Sequence, residues 1–359
     1  MNRDLYIIAS RFRSITGGLI WTSRLAEYAK RIYRNTTLID LEQENILLRT
    51  DRFLEIIYYF IFLLFKNNFF VFIDHRLHLR FGIPLLASLL LKKNMYATIC
   101  HHLFYKTKKC VVRKAIEYFS EKIFLKNARF IIVPSNQTAL DIQSICGARD
   151  NIIVIHPTYT VKCRGFPQRQ FRNRILFVGN LEPRKGIQVV IEALSLINDT
   201  DFSFDIVGGY YKHEKYFLQL KNLVNKHDLS NRITFHGRVD SNKLVHFYRS
   251  ANVFVFPSWH EGYGIVLLEA MNFGLPIVAT DIPTTRDIIR DDVNGYLCPV
   301  NDAKCMARKI RKLLSNHNIQ TKIGKTNYKA SRKFRNWVEV VEQTFNTIRP
   351  YLICCTNKF

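Results

Sequence analysis

The sequence predicts an α/β protein of two domains, each with a largely parallel sheet, and three observations carry that prediction. Short runs of β-branched and aromatic residues, such as Val253-Phe254-Val255-Phe256 and Ile277-Val278-Ala279, alternate along the chain with stretches of helical spacing. The chain has 359 residues, which suits two such cores better than one. Between Thr160 and Arg172 the composition shifts to Lys, Arg, Pro and Gln, which sets the expected boundary between domains at 1–165 and 166–335.

The elements follow in order. Leu5 to Ser10 is a strand, Gly17-Gly18 a glycine pair, and Leu19 to Tyr33 a helix. A strand, glycine pair and helix present backbone N–H groups to an anion, although a Gly-Gly pair by itself is more often a plain turn. Helices are expected over 53–65 and 84–91, and strands over 69–73 and 96–100. His101-His102 closes the last of these strands, at the carboxyl end where ligands of parallel sheets bind.

Lys106 to Arg129 holds eight basic and two acidic residues. Val112, Ala115, Ile116, Phe119 and Ile123 recur at helical spacing, so the segment reads as a basic amphipathic helix whose apolar stripe packs on its own sheet. The cluster Lys106, Lys108, Lys109, Arg113 and Lys114 is a candidate for attachment to an anionic leaflet. Phe130 to Val133 and Asn151 to His156 are strands, with a helix from Gln137 to Cys146 between them.

The second half opens with the strand Arg174 to Val178, the loop Gly179-Asn180-Leu181-Glu182-Pro183-Arg184-Lys185-Gly186 and a helix from Ile187. Two adjacent cations on a short loop before a helix are placed to neutralise a diphosphate. Strands at 204–209, ending in glycines, and at 233–239 and a helix from Lys243 to Ser250 lead to the central stretch, Phe256 to Asp287. There a strand stops at Pro257, and His260-Glu261-Gly262-Tyr263-Gly264 forms a glycine loop. Ile265 to Phe273 is a helix with Gly274 as its C′ stop, and a second strand follows. The helix start at Gly264-Ile265 offers N–H groups to phosphate, while Glu261 and Glu269 are suited to grip hydroxyls. A nucleotide-sugar carries both kinds of group.

The Glu261-x7-Glu269 spacing, the EGYG loop and the LLEAMNFGLPIVATD continuation resemble the retaining nucleotide-sugar glycosyltransferases of family 4. The resemblance implies the GT-B fold, two Rossmann-like doubly wound domains facing across a cleft. It implies that Glu261 lies against the donor sugar and Glu269 holds the ribose hydroxyls. It further implies that Gly17 and Gly18 face the donor phosphates and that His101, in preference to His102, is the cleft histidine. Arg184, Lys185, Gly262, Tyr263, Gly264 and Ile265 complete the expected donor site. Asn180 departs from the family pattern G-R-L-x-x-x-K-G, which has Arg there, so either Arg184 supplies the missing charge or diphosphate binding is weaker. The segment 336–359 resembles the family's closing helix, which crosses back to the first domain.

Formal charge is +24, with +13 in residues 1–165 and +11 beyond, so anionic partners are expected in general. The run from Ala303 to Val338 has eleven basic residues and no acidic one, which reads as a solvated face. The eight cysteines include no C-x-x-C pair, which points to reduced thiols in a cytosolic setting. The most apolar stretches fall short of the roughly 20 residues that span a bilayer, so a peripheral position on the cytoplasmic face is expected. No Asp-rich motif stands out, and neither a cofactor nor an essential divalent ion is expected.

The function implied is transfer of a hexose-type sugar from a nucleotide-diphosphate donor to a glycan or lipid-linked hydroxyl, with retention at the anomeric carbon. Two alternatives stay open: an inactive glycosyltransferase-like binding subunit, favoured by Asn180, and a transferase acting on nucleic acid, favoured by the charge. No interleaved aromatic and basic pattern supports the latter, and nucleic acid is not expected as a partner.

Overall fold

A computed structural model describes residues 4–10, 17–32, 36–41, 69–74, 96–107, 110–197, 199–210 and 215–353. The chain divides into two units, Met1–Pro157 with Trp337–Phe359, and Thr158–Asn336. The basic segment from Thr160 to Arg172 therefore belongs to the second unit. Polar ties hold it there. The Asn252 side-chain oxygen accepts from the N–H of Arg172 (3.2 Å) and of Arg174 (2.9 Å), and its amide donates to the Gln170 carbonyl (3.1 Å). Arg169 donates to the carbonyls of Phe273 and Gly274, and burial pulls its guanidinium down to about 10.

In the first unit the strands β1 (Asp4–Ser10), β2 (Thr36–Leu41), β3 (Phe69–Asp74), β4 (Tyr96–Ile99), β5 (Ile131–Val133) and β6 (Ile152–Val154) form one sheet. Its order is β2-β1-β3-β4-β5-β6, and every pairing is parallel. The helices α1 (Gly17–Ile32), α2 (Val111–Asn127) and α3 (Asn136–Cys146) connect them. The expected helices over 53–65 and 84–91 lie outside the described residues. Phe72, Ile99, Phe130 and Ile132 pack with Trp21, Leu25 and Ala29 of α1 and with Val340, Val341, Phe345 and Ile348 of the closing helix, Trp337–Ile353. Ser135 caps α3 by accepting from the Thr138 N–H (3.1 Å).

One expectation is overturned in α2. Its apolar stripe does not pack on the sheet: Val112 is 67% exposed, Ile116 57%, Phe119 61% and Ile123 38%. The inward face consists of Glu117, Glu121, Phe124 and Leu125. The reason is local. Glu121 accepts from the N–H groups of Phe104 (2.7 Å) and Tyr105 (3.1 Å), capping the short turn Phe104–Thr107, while Phe124 stacks on Tyr96. These two anchors fix the rotation of the helix and leave the stripe outside.

The second unit holds β7 (Arg174–Val178), β8 (Ser203–Val207), β9 (Ile233–Gly237), β10 (Val253–Phe256), β11 (Ile277–Thr280) and β12 (Tyr296–Cys298). Its helices are α4 (Ile187–Ser195), α5 (Lys215–Lys226), α6 (Ser241–Ser250), α7 (Ile265–Asn272), α8 (Pro283–Arg286), α9 (Ala303–Leu314) and α10 (His317–Ser331). All strands pair in parallel in the order β12-β11-β10-β7-β8-β9. Because side chains alternate along a strand, Ile175, Phe177, Val253 and Val255 serve one apolar cluster and Leu176, Phe254 and Phe256 the other. Each such fully buried side chain contributes about 1.5–3 kcal/mol. Both faces are covered, as a doubly wound sheet requires. Strand order reverses between β7 and β10, and the crevice beyond their carboxyl ends is the ligand position of this topology.

The expectation of reduced thiols is corrected at one place. Cys298, ending β12, and Cys305, in the first turn of α9, are joined by a disulfide with Cα atoms 5.7 Å apart. The turn between the two elements closes a C-x6-C spacing that the search for C-x-x-C pairs passes over.

Candidate active site

At the reversal point the loops after β7 and β10 bring three of the expected residues together. Lys185 donates to Glu261 Oε1 (2.7 Å), and Arg184 Nη1 donates to the same oxygen. Arg184 Nε also pairs with Glu182 Oε2 (2.8 Å), and a further N–H reaches the His260 carbonyl (3.2 Å). Two backbone features make this convergence possible. Trp259 N–H donates to the Arg184 carbonyl (3.0 Å), which pins one loop to the other. Gly186 adopts a φ of 66°, and a Cβ there would lie 2.2 Å from the Pro257 carbonyl oxygen, so only glycine lets the loops approach this closely.

The electrostatics follow from burial. Lys185 is 8% exposed, and loss of solvent pulls its ammonium below the ordinary lysine value, while Glu261 acts in the opposite sense. One carboxylate thus bridges two cations in a largely dry crevice, and Glu182 supplies the second negative charge, to Arg184. Lys185 also lies over the Phe256 ring, 5.7 Å from its centroid.

Glu269 is held differently. It is 3% exposed, accepting from the Tyr248 hydroxyl at Oε2 (2.8 Å) and from the Thr160 N–H (3.1 Å) and hydroxyl at Oε1. Burial raises its carboxyl above the usual range in spite of these donors. Between the two glutamates, Gly262 and Gly264 are buried, and Gly264 caps α7 at a φ of 90°. Ile265 is the first helical residue. Tyr263 is half-buried, and burial lifts its phenol to about 12, with Asp287 adding to the effect.

The remaining expected residues belong to the first unit. Gly17 and Gly18 are the first two residues of α1, inside the helix start and not in a loop ahead of it, so their N–H groups are among those with no intrahelical partner. His101 is buried beside Trp21, with ring centroids 6.2 Å apart, whereas His102 is half-exposed against Phe104 (4.7 Å).

Three residues escape a reading of the sequence. Thr160 and Tyr248 reach Glu269 from the link and from α6, a proximity that no spacing encodes. The third is Arg238. A Cβ on Gly209 would lie 2.6 Å from Arg238 Nε and 3.0 Å from Asn180 Oδ1, so the guanidinium rests on the Gly209 backbone beside Asn180. Asn180 itself accepts from the Gly209 N–H (3.2 Å). A cation thus stands next to the position where the family pattern has Arg. Among the described residues no group of three or more His, Cys, Asp or Glu side chains could hold a metal ion.

The family model for glycosyl transferases group 1 matches residues 166–330. The phosphatidyl-myo-inositol mannosyltransferase of Mycobacterium leprae is 32% identical over 185 residues, 50% of this chain and 46% of that protein. The chain spans about half the length of the curated relatives it matches. Among solved structures, sucrose-phosphate synthase from Thermosynechococcus elongatus superimposes with a TM-score of 0.81 at 19% identity, covering 98% of this chain and 100% of that one. HepE of Anabaena in complex with UDP-glucose gives 0.77 at 13%, covering 97% and 99%. The chain has the GT-B fold, and its residues 166–330 are similar to the glycosyl transferases group 1 family.

Proposed function

We propose that the protein is a retaining glycosyltransferase that moves a hexose-type sugar from a nucleotide-diphosphate donor to a hydroxyl of a glycan or lipid-linked acceptor. The observation that carries this reading is the convergence of Arg184, Lys185 and Glu261 at the strand-order reversal of the second sheet. A relative that is a phosphatidyl-myo-inositol mannosyltransferase and a fold neighbour that binds UDP-glucose support the substrate classes.

In this reading the diphosphate takes up the donors that Glu261 now occupies, and Lys185 and Arg184 stabilise the negative charge that develops as it leaves. Such preorganised charge acts most strongly where water is excluded. Arg238, beside Asn180, supplies a third cationic contact where Asn180 carries no charge, and no divalent ion is needed to complete the neutralisation. Released from the cations, Glu261 orients a sugar hydroxyl. Glu269, kept in place by Thr160 and Tyr248, turns its remaining lone pairs to the ribose. Its partners explain why a buried carboxylate is tolerated there.

The test is a screen of UDP-glucose, UDP-N-acetylglucosamine and GDP-mannose for a rise in melting temperature and for release of UDP or GDP, with and without EDTA. One donor is expected to bind and turn over equally in both conditions, and product NMR is expected to show the donor's anomeric configuration. Binding with no turnover would favour the inactive binding subunit instead. Loss of turnover in EDTA would refute the metal-free reading.

A further inference from the structure

We propose that α2 is the membrane-contacting element of this protein, inserting Val112, Ile116, Phe119 and Ile123 into the interfacial layer of an anionic bilayer. This deepens the reading of a lipid-linked acceptor by naming the surface on which that acceptor would be met, and it stands on geometry that the transfer chemistry does not enter. At 3.6 residues per turn these four side chains fall within about 60° of arc, a continuous stripe along the helix. All four are exposed, Phe119 at 61% and Val112 at 67%. A surface helix of a globular protein ordinarily does the reverse, turning its apolar stripe to the core and its charges to water.

The distribution of charge identifies the occupant. Both acidic residues of α2 point inward, Glu117 at 7% and Glu121 at 0% exposure, the second fastened to the N–H groups of Phe104 and Tyr105. The outward side of the helix therefore carries no acidic residue, with Lys122 and Lys126 on one margin of the stripe and Ser120, Asn127 and Arg113 on the other. Such a surface is complementary to an anionic leaflet, where each basic residue adds attraction and the stripe enters the headgroup boundary. Aromatic contacts extend the same edge. The ring of Tyr105 meets Tyr118 (5.3 Å), Tyr118 meets Phe119 (5.4 Å), and Lys122 lies over Tyr118 (5.6 Å), which sets phenol groups near the stripe, a residue type enriched at membrane interfaces.

Lys106, grouped with this cluster by sequence, is spent elsewhere: it pairs with Asp141 at 2.6 Å. Lys108 and Lys109 lie outside the described residues. The stripe and its immediate margins, not the preceding lysines, are accordingly the part to alter.

The experiment uses the full chain and vesicles of phosphatidylglycerol and phosphatidylcholine, at 150 and 500 mM salt, with no sugar donor present. The parent is expected to sediment with anionic vesicles and poorly with pure phosphatidylcholine. Replacing Ile116→Ser and Phe119→Ser together removes two large apolar groups and is expected to weaken partitioning at least about tenfold. Because both positions are exposed, melting should not change. Arg113→Gln with Lys122→Gln and Lys126→Gln should weaken binding at 150 mM salt but leave a salt-insensitive remainder. A Phe119→Trp variant should shift its emission to the blue when anionic vesicles are added. Sedimentation of the serine variant equal to the parent's, or unchanged emission at position 119, would overturn the proposal. So would a parent dimer in sedimentation velocity that the serine variant abolishes without any vesicle binding, since a second copy would then be the occupant. A failure in sugar transfer would leave all these readouts untouched.

Discussion

Replacing Glu261→Gln removes the one negative charge shared by Lys185 and Arg184 while keeping the side chain's shape. Breaking a buried ion pair by removing one partner costs about 3–5 kcal/mol, because the other charge is left without compensation. Here the lower end applies, since Arg184 keeps Glu182 at 2.8 Å and the Glu261 side chain is 11% exposed. In a unit of this size each kcal/mol moves the midpoint by about 2–4 °C, so a loss of about 3 kcal/mol should lower it by about 6–12 °C. The same substitution makes the two cations more available to a diphosphate. UDP or GDP at 100 times its dissociation constant supplies about 2.7 kcal/mol, which restores most of the loss. The assay is a thermal melt of parent and variant with and without each nucleotide. The nucleotide-induced shift should be larger in the variant, while turnover of a nucleotide-sugar falls at least about a hundredfold. A variant that melts within about 2 °C of the parent, or that gains less from nucleotide, would refute the reasoning, because Glu261 would then not be what neutralises the pair.

Glu269→Gln should flatten the pH dependence of stability. A carboxyl raised by burial favours the folded state when protonated, so the parent loses stability as pH climbs from 4.5 through the raised value; urea unfolding from pH 4.5 to 7.5 should show a steeper decline in the parent than in the variant. Arg238→Gln should weaken UDP or GDP binding about tenfold, with a shallower salt dependence, and Gly209→Ala should do nearly the same by pushing the guanidinium aside; calorimetric titration that finds either variant unchanged would remove Arg238 from the site. Peptide mapping without reductant should recover the fragment linking Cys298 to Cys305, and Cys305→Ser should lower stability by about 2–3 kcal/mol in that oxidised form.

Which parts of this molecule were legible in its sequence depends on whether the controlling interaction is local. The run Val253–Phe256 is bounded by a proline, and Ile265–Asn272 by Gly264 and Gly274, both of which adopt positive φ, so their ends are written in the residues themselves. The place of each loop at the carboxyl end of its strand, ahead of a helix, followed from strand–helix alternation. Arg184, Lys185 and Glu261 could be nominated for that reason. Their mutual contact could not, since it depends on a glycine at 186 that lets one backbone touch another. Thr160, Tyr248 and Arg238 come from three separate segments and share no spacing with the residues they meet.

Helix α2 shows the limit most sharply. Its spacing gave the stripe correctly, because periodicity reports which side chains share a face. It is silent on which face is covered, and the usual rule, apolar inward, fails because two buried contacts outrank it. Glu121 satisfies two N–H groups of the preceding turn with a charged acceptor, and such charge-assisted bonds contribute about 1.5–3 kcal/mol each. Phe124 stacks on Tyr96 at 5.1 Å and lies wholly in the core. Rolling the helix to bury Ile116 and Phe119 would surrender both anchors and carry Lys122 and Lys126 toward the interior. The fold thus tolerates an apolar stripe in water because the alternative rotation costs more, and a bilayer surface would let the chain keep the anchors and bury the stripe as well.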